Sequence, residues 1–107
     1  MSLRQLAATA GVTARAVRYY ETIGLVSSDR TSTGARCYPP SVCEAICLIA
    51  FLRRLDVPAH RLWPIVDATR TAADRKETLR EVLTDCASEL SKRLADTVTA
   101  LEQLEPA

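Results

Sequence analysis

The residues between positions 13 and 22 are the ones best equipped to act on another molecule. Arg15, Arg18, Tyr19 and Thr22 recur three or four positions apart, so on a helix they share one side, while Ala14, Val17, Tyr20 and Glu21 share another. A guanidinium can donate two parallel hydrogen bonds to a phosphate or a guanine edge. A tyrosine hydroxyl can donate to phosphate while its ring packs on sugar. The basic-aromatic side therefore suits a nucleic-acid backbone, with plain solvated charge as the alternative for Arg15 and Arg18 and a core position for Tyr20.

The net charge of +1 hides an uneven distribution. Residues 1–54 carry seven Arg and no Lys against three acidic residues, a net +4, whereas residues 55–107 carry a net −3. Only the front half is suited to a polyanion. The 107 residues, 48% apolar and 25% charged, fit one folded domain with one modest core and leave no room for a second catalytic domain. The single histidine, His60, has no nucleophile-base partner in the pattern, so enzyme chemistry is not expected. The most apolar stretch, Cys43 to Leu52, is too short to span a bilayer, and no apolar signal region precedes the first helix pattern. No membrane passage is expected, and the location read from this is cytoplasmic, associated with the nucleoid.

Ser2-Leu3-Arg4-Gln5 has the form of a capping box, so a helix starts there with Leu3, Leu6, Ala7 and Ala10 as its buried stripe. Gly11 ends it, and Thr13 is the N-cap of a second helix, giving two short helices across a turn. The polar run Ser27 to Gly34, followed by Ala35-Arg36-Cys37-Tyr38, predicts a small β-hairpin. Ser41-Val42-Cys43-Glu44 reads as a capping box opening a third helix to about Leu55, with Val42, Ala45, Ile46, Ile49, Leu52 and Leu55 inward. Pro58 opens a short fourth helix that Pro64 kinks or ends early. From Asp74 to about Glu105 the chain reads as one long helix. Its stripe of Leu79, Leu83, Cys86, Leu90, Leu94, Val98, Leu101 and Leu104 calls for a second copy more than for its own domain. The fold expected is all-α, mainly helical: a winged helix-turn-helix DNA-binding domain over residues 1–70 and a coiled-coil dimerisation helix over 74–105.

In that order of elements the chain resembles the MerR family of transcription regulators. The resemblance rests on the string from Val12 to Leu25, above all Arg18-Tyr19-Tyr20-Glu21 and Ile23-Gly24-Leu25, with Gly34, Arg36, Tyr38, Pro40 and Arg53-Arg54-Leu55 beyond it. It implies a sequence-specific regulator acting as a homodimer, joined by an antiparallel coiled coil and placing two recognition helices in successive major grooves of a pseudo-palindromic operator. It also implies action at a promoter, with RNA polymerase as a partner, through DNA bending and undertwisting. By position, Thr13, Arg15, Arg18 and Tyr19 of the recognition helix and Arg36 and Tyr38 of the wing should touch DNA, with Arg53 and Arg54 in a second wing. The alternative for that last pair is ion pairing with Asp56 or Glu44. Trp63 reads as core or dimer contact. A protein-interaction module on the same fold is a further alternative.

Two departures stand out. Ala35 occupies a wing position that is usually aromatic in the family, and Cys47, Ala50 and Phe51 give the third helix an apolar outer face, which suggests an extra contact. No Cys lies between Asp67 and Asp74 and no metal-binding loop follows the long helix, so the family's metal site is not expected, nor a cofactor. The reading is of a short member without a separate effector-binding domain. Cys37, Cys43, Cys47 and Cys86 contain no C-x-x-C pair. They stand as candidates for a thiol-based redox or electrophile sensor, with a metal site less favoured and apolar filler as the alternative.

Overall fold

In the computed structural model, residues 1–105 are described, and every element at the front of the chain begins where a local signal puts it. Helix α1 (Leu3–Ala10) is capped by Ser2, whose hydroxyl accepts from the Gln5 amide while the Gln5 side chain accepts from the Ser2 amide. Gly11 closes it at φ 68°, a left-handed position that costs a glycine nothing. Helix α2 (Ala14–Thr22) follows, with the Thr13 hydroxyl accepting from the Ala16 amide at 3.0 Å. The two-residue strands β1 (Asp29–Arg30) and β2 (Arg36–Cys37) form the antiparallel wing, Asp29 opposite Cys37 and Arg30 opposite Arg36.

Helix α3 (Pro40–Arg54) departs from the expected start. Its N-cap is Pro39, in extended conformation, so Ser41 lies inside the first turn and no side-chain cap is made. A residue preceding proline is pushed into extended backbone, and a proline at the first helical position loses no hydrogen bond, so Pro39-Pro40 outrank the Ser41–Glu44 box. Pro58 likewise caps a 3₁₀ turn (Ala59–Arg61) rather than opening a helix. Pro64 sits in the first turn of the one-turn helix α4 (Trp63–Val66), starting it instead of kinking it. Helix α5 (Ala72–Leu104) begins two residues before Asp74, because the Thr71 hydroxyl accepts from the Asp74 amide at 3.1 Å.

One core joins these elements: Leu6, Val17, Tyr38, Ile46, Ile49, Leu52 and Leu62 are sealed from water. Ala50, expected on the outer face of α3, is buried as well, and Cys47 is half-buried, which leaves Phe51 as the exposed apolar residue of that trio. Helix α5 joins the core only at its start. Val82 is buried and Leu79, Leu83 and Cys86 pack partly against it, so α5 puts two faces to use within its first turns. Arg61 pairs with Asp85 at 2.8 Å and Arg93 with Asp56 at 3.7 Å along the same contact, exposed pairs that orient more than they stabilise. From Ala87 onward every described residue of the helix is exposed. The resulting radius of gyration, 18.1 Å, far exceeds the ~13 Å of a compact chain this long.

Candidate nucleic-acid interface

Helix α2 is held by its buried side, where Val17 and Tyr20 enter the core and Ala14 and Glu21 are half-buried. Its other side, carrying Arg15, Arg18, Tyr19 and Thr22, faces solvent, and Tyr19 is 54% exposed although it is aromatic. Among the described residues no hydrogen bond or ion pair engages the guanidinium of Arg15 or Arg18. The Thr22 hydroxyl donates to the Arg18 carbonyl at 2.8 Å. Thr13 is exposed at the helix start, its hydroxyl already used as the cap. The sequence thus placed five exposed groups on one surface.

The wing brings two more cations to the same end of the molecule. Arg36 is partly exposed and its guanidinium lies 3.6 Å from the Glu21 carboxylate. Arg30, legible in the sequence only as charge, donates to the Gly34 carbonyl at 3.0 Å across the turn at the hairpin tip. Its position beside the tight turn Thr31–Gly34 was the signal available.

Tyr38 must be withdrawn from the DNA-facing set. It is completely buried, and its hydroxyl donates to Glu21 at 3.2 Å. Burial raises the phenol above its ordinary 10.0, with the neighbouring Glu21 charge acting in the same sense. The residue is a post under the wing, not a hand extended from it.

Glu21 is the electrostatic centre of this region. The Ser28 hydroxyl donates to one of its oxygens, and Tyr38 and Arg36 meet the other. The Ser28 hydrogen bond, aided by Tyr38, Arg36 and Arg30 against the opposing effect of burial, holds the carboxyl below its ordinary 4.5.

Arg53 and Arg54, expected in a second wing with ion pairing to Asp56 or Glu44 as the alternative, make neither ion pair among the described residues and donate to backbone. Arg53 reaches the Val57 carbonyl at 2.8 Å and Arg54 the Ala50 carbonyl at 3.3 Å. Both stay exposed beside the turn after α3, while Asp56 is taken by Arg93. Trp63 is 46% exposed, with its ring edge over Gly24, 3.4 Å from where a Cβ would stand. His60 is exposed.

The four thiols are free and half-buried, and the described residues hold no group of three or more His, Cys, Asp or Glu arranged for a metal ion. Burial, with Cys47 alongside, pushes the Cys43 thiol above its ordinary 9.0, which disfavours the thiolate. Among the described residues no helix is long and apolar enough to cross a membrane.

Comparison with known proteins bears on the same region. Residues 1–61 match the sequence pattern of the MerR HTH family regulatory proteins. The chain is 34% identical over 105 residues to the HTH-type transcriptional activator TipA of Streptomyces coelicolor, an alignment covering 94% of this chain and 41% of that protein. It is 33% identical over 102 residues to the nodulation protein NolA of Bradyrhizobium elkanii, covering 92% of this chain and 47% of that one. The chain thus spans less than half the length of these relatives. A crystal structure described as that of a MerR family transcriptional regulator from Listeria monocytogenes superposes with a TM-score of 0.72 at 26% identity, over 97% of this chain and 80% of that one.

Proposed function

Because the chain belongs to the MerR family, we propose that it is a DNA-binding transcription regulator acting as a homodimer whose paired α2 helices read a pseudo-palindromic operator. The DNA-facing set is Thr13, Arg15, Arg18 and Tyr19 on α2 with Arg30 and Arg36 on the wing, and Arg53 and Arg54 against the flanking backbone. The observation that carries this reading is the division of α2 into a buried side and a cationic side with unengaged guanidinium groups.

The dimer rests on the projecting arm of α5. Leu90, Leu94, Val98, Leu101 and Leu104 are between 42% and 81% exposed on it, more apolar surface than an isolated helix keeps in water. The pattern is nearly symmetric about Leu90: Cys86 and Leu94 stand equally far from it, as do Leu79 and Leu101. An antiparallel pairing with a second copy then sets Leu90 against Leu90, Cys86 against Leu94 and Leu79 against Leu101. Residues 1–70 serve as the DNA-binding domain and the arm as the dimerisation element. In this reading the protein works in the cytoplasm beside RNA polymerase at a promoter, where the pair of α2 helices bends and undertwists the DNA.

The test is selection of bound fragments from a random-sequence duplex library, followed by titration of Arg18→Ala on the selected site. Arg18→Ala loses ten- to a hundred-fold in affinity while the dimer persists, on the scale of ~1–3 kcal/mol for one good arginine contact. Equal affinity of wild type and variant refutes the assignment of this face.

A thiol-responsive regulator is the second reading, favoured by Cys37, which lies in β2 between Arg36 and Tyr38, so that an adduct there acts on the wing directly. Reporter induction by thiol-reactive agents in the four single Cys→Ser variants tests it; a wild-type response from all four sinks it.

A further inference from the structure

The α2 helix and the wing meet DNA as separate elements, and their mutual placement has to come from somewhere. The loop between them, residues 23–28, has no regular structure. The wing itself is two residues per strand, too short to fix its own orientation. Among the described residues, both hydrogen bonds that join wing or loop to α2 side chains end on one carboxylate. Ser28, just before β1, donates to one oxygen of Glu21, and Tyr38, just after β2, donates to the other at 3.2 Å. Arg36, on the same face of the strand as Tyr38 and two residues before it, completes the set with its guanidinium 3.6 Å away. Both strands are therefore tied to one side chain near the C-terminal end of the recognition helix. Tyr38, with no exposed surface, is the buried member and Arg36 the solvent-facing one.

We propose that Glu21 is a positioning residue for DNA recognition: it locks the wing to α2 and presents Arg36 toward the flanking phosphate, without itself touching DNA. The inference rests on the DNA-facing assignment made above. Glu21 leans toward the wing from the half-buried flank of the helix, one turn on from Arg18 and away from the exposed Arg15 and Tyr19. A carboxylate there would repel phosphate if it pointed outward, and three donors turn it inward. Its charge is spent on Arg36 from behind, leaving the outer edge of that planar fork for a second acceptor.

The test measures affinity and its salt dependence for a duplex selected by the wild-type protein, using Glu21→Gln, the wing variant Arg30→Ala/Arg36→Ala, their combination, and Arg18→Ala. Glu21→Gln keeps the side-chain volume and one acceptor but loses the charge that holds Arg36. It is expected to weaken binding about tenfold and to lower the slope of log affinity against log salt by about one, the signature of one lost phosphate contact. In the wing variant the same change is expected to alter affinity less than twofold, because the residue acts through the wing. A purely structural role would lower the melting temperature and weaken binding equally in both backgrounds, and that outcome overturns the proposal, as does an unchanged salt slope. Tyr38→Phe, which removes one donor and keeps the buried ring, gives the same pattern at smaller amplitude and serves if Glu21→Gln does not fold. If Arg18→Ala binds like wild type, the DNA-facing assignment falls and this proposal with it. If Arg18→Ala is weak and Glu21→Gln is not, only the positioning role fails.

Discussion

Replacing Leu94 with Ala separates a lone chain from a paired one. In the single chain Leu94 is 66% exposed and lies beyond every tertiary contact of α5, and alanine is the better helix former. The substitution should therefore leave an isolated monomer within ~0.5 kcal/mol of wild type. In an antiparallel pair the exposed two-thirds of the side chain is what the partner covers, worth about 1–2 kcal/mol per copy from the apolar area lost. Two-fold symmetry counts the residue twice, so dimerisation weakens by about 2–4 kcal/mol, or roughly 30- to 1,000-fold in its dissociation constant. Sedimentation equilibrium over a wide concentration range reads this directly, and melting temperatures that rise with protein concentration for wild type should do so over a higher range for the variant. A variant that self-associates as wild type does would refute the pairing through this stripe.

Gly24 sits at φ 81° with the Trp63 ring 3.4 Å from the position of a Cβ, so Gly24→Ala should lower stability by about 1–2 kcal/mol, read as a drop in urea midpoint without a change in slope. Thr13→Ala removes the cap of α2 and should cost about 1 kcal/mol by the same assay, with circular dichroism showing the helix otherwise retained. Stability should also fall in acid. Glu21 and Asp67 both have folded values depressed below their ordinary 4.5 and 3.8, Glu21 chiefly by Ser28 and Asp67 by Thr69. Their contribution is complete above those ordinary values and is lost as pH drops through the lower folded ones. Unfolding curves from pH 6 to 3 should show a shallower acid loss for Glu21→Gln than for wild type; identical curves would refute the Glu21 part.

Much of the fold could be read from local chemistry. Ser2 with Gln5, Gly11 and Thr13 act within four residues of themselves, so both ends of α1 and the start of α2 follow from the sequence. The two sides of α2 were legible for the same reason, since helical spacing alone separates Val17 and Tyr20 from Arg15 and Arg18. Where two local signals compete, the stiffer one decides, as Pro39-Pro40 do over the hydroxyl of Ser41. Tyr38 was misplaced because its role depends on Glu21, seventeen residues away, and no local pattern shows that a wing tyrosine turns inward. Val82 escaped notice because it lies off the long leucine stripe and answers to the first domain rather than to the arm. Ala50 was assigned outward by its match to an outer position of the family's third helix, yet it is covered in the folded chain.

The bare arm of α5 also has a consequence for dosage. In a regulator assembled through it, only paired chains present two reading heads to one operator, and the population of pairs in a dilute cell rises as the square of the chain concentration. Occupancy of the operator is then steep in the amount of protein made, and a twofold change in synthesis is amplified before any signal is received. The apolar residues from Leu90 to Leu104 would in that way set a threshold for expression, and trimming their hydrophobicity would move that threshold without altering a single base contact.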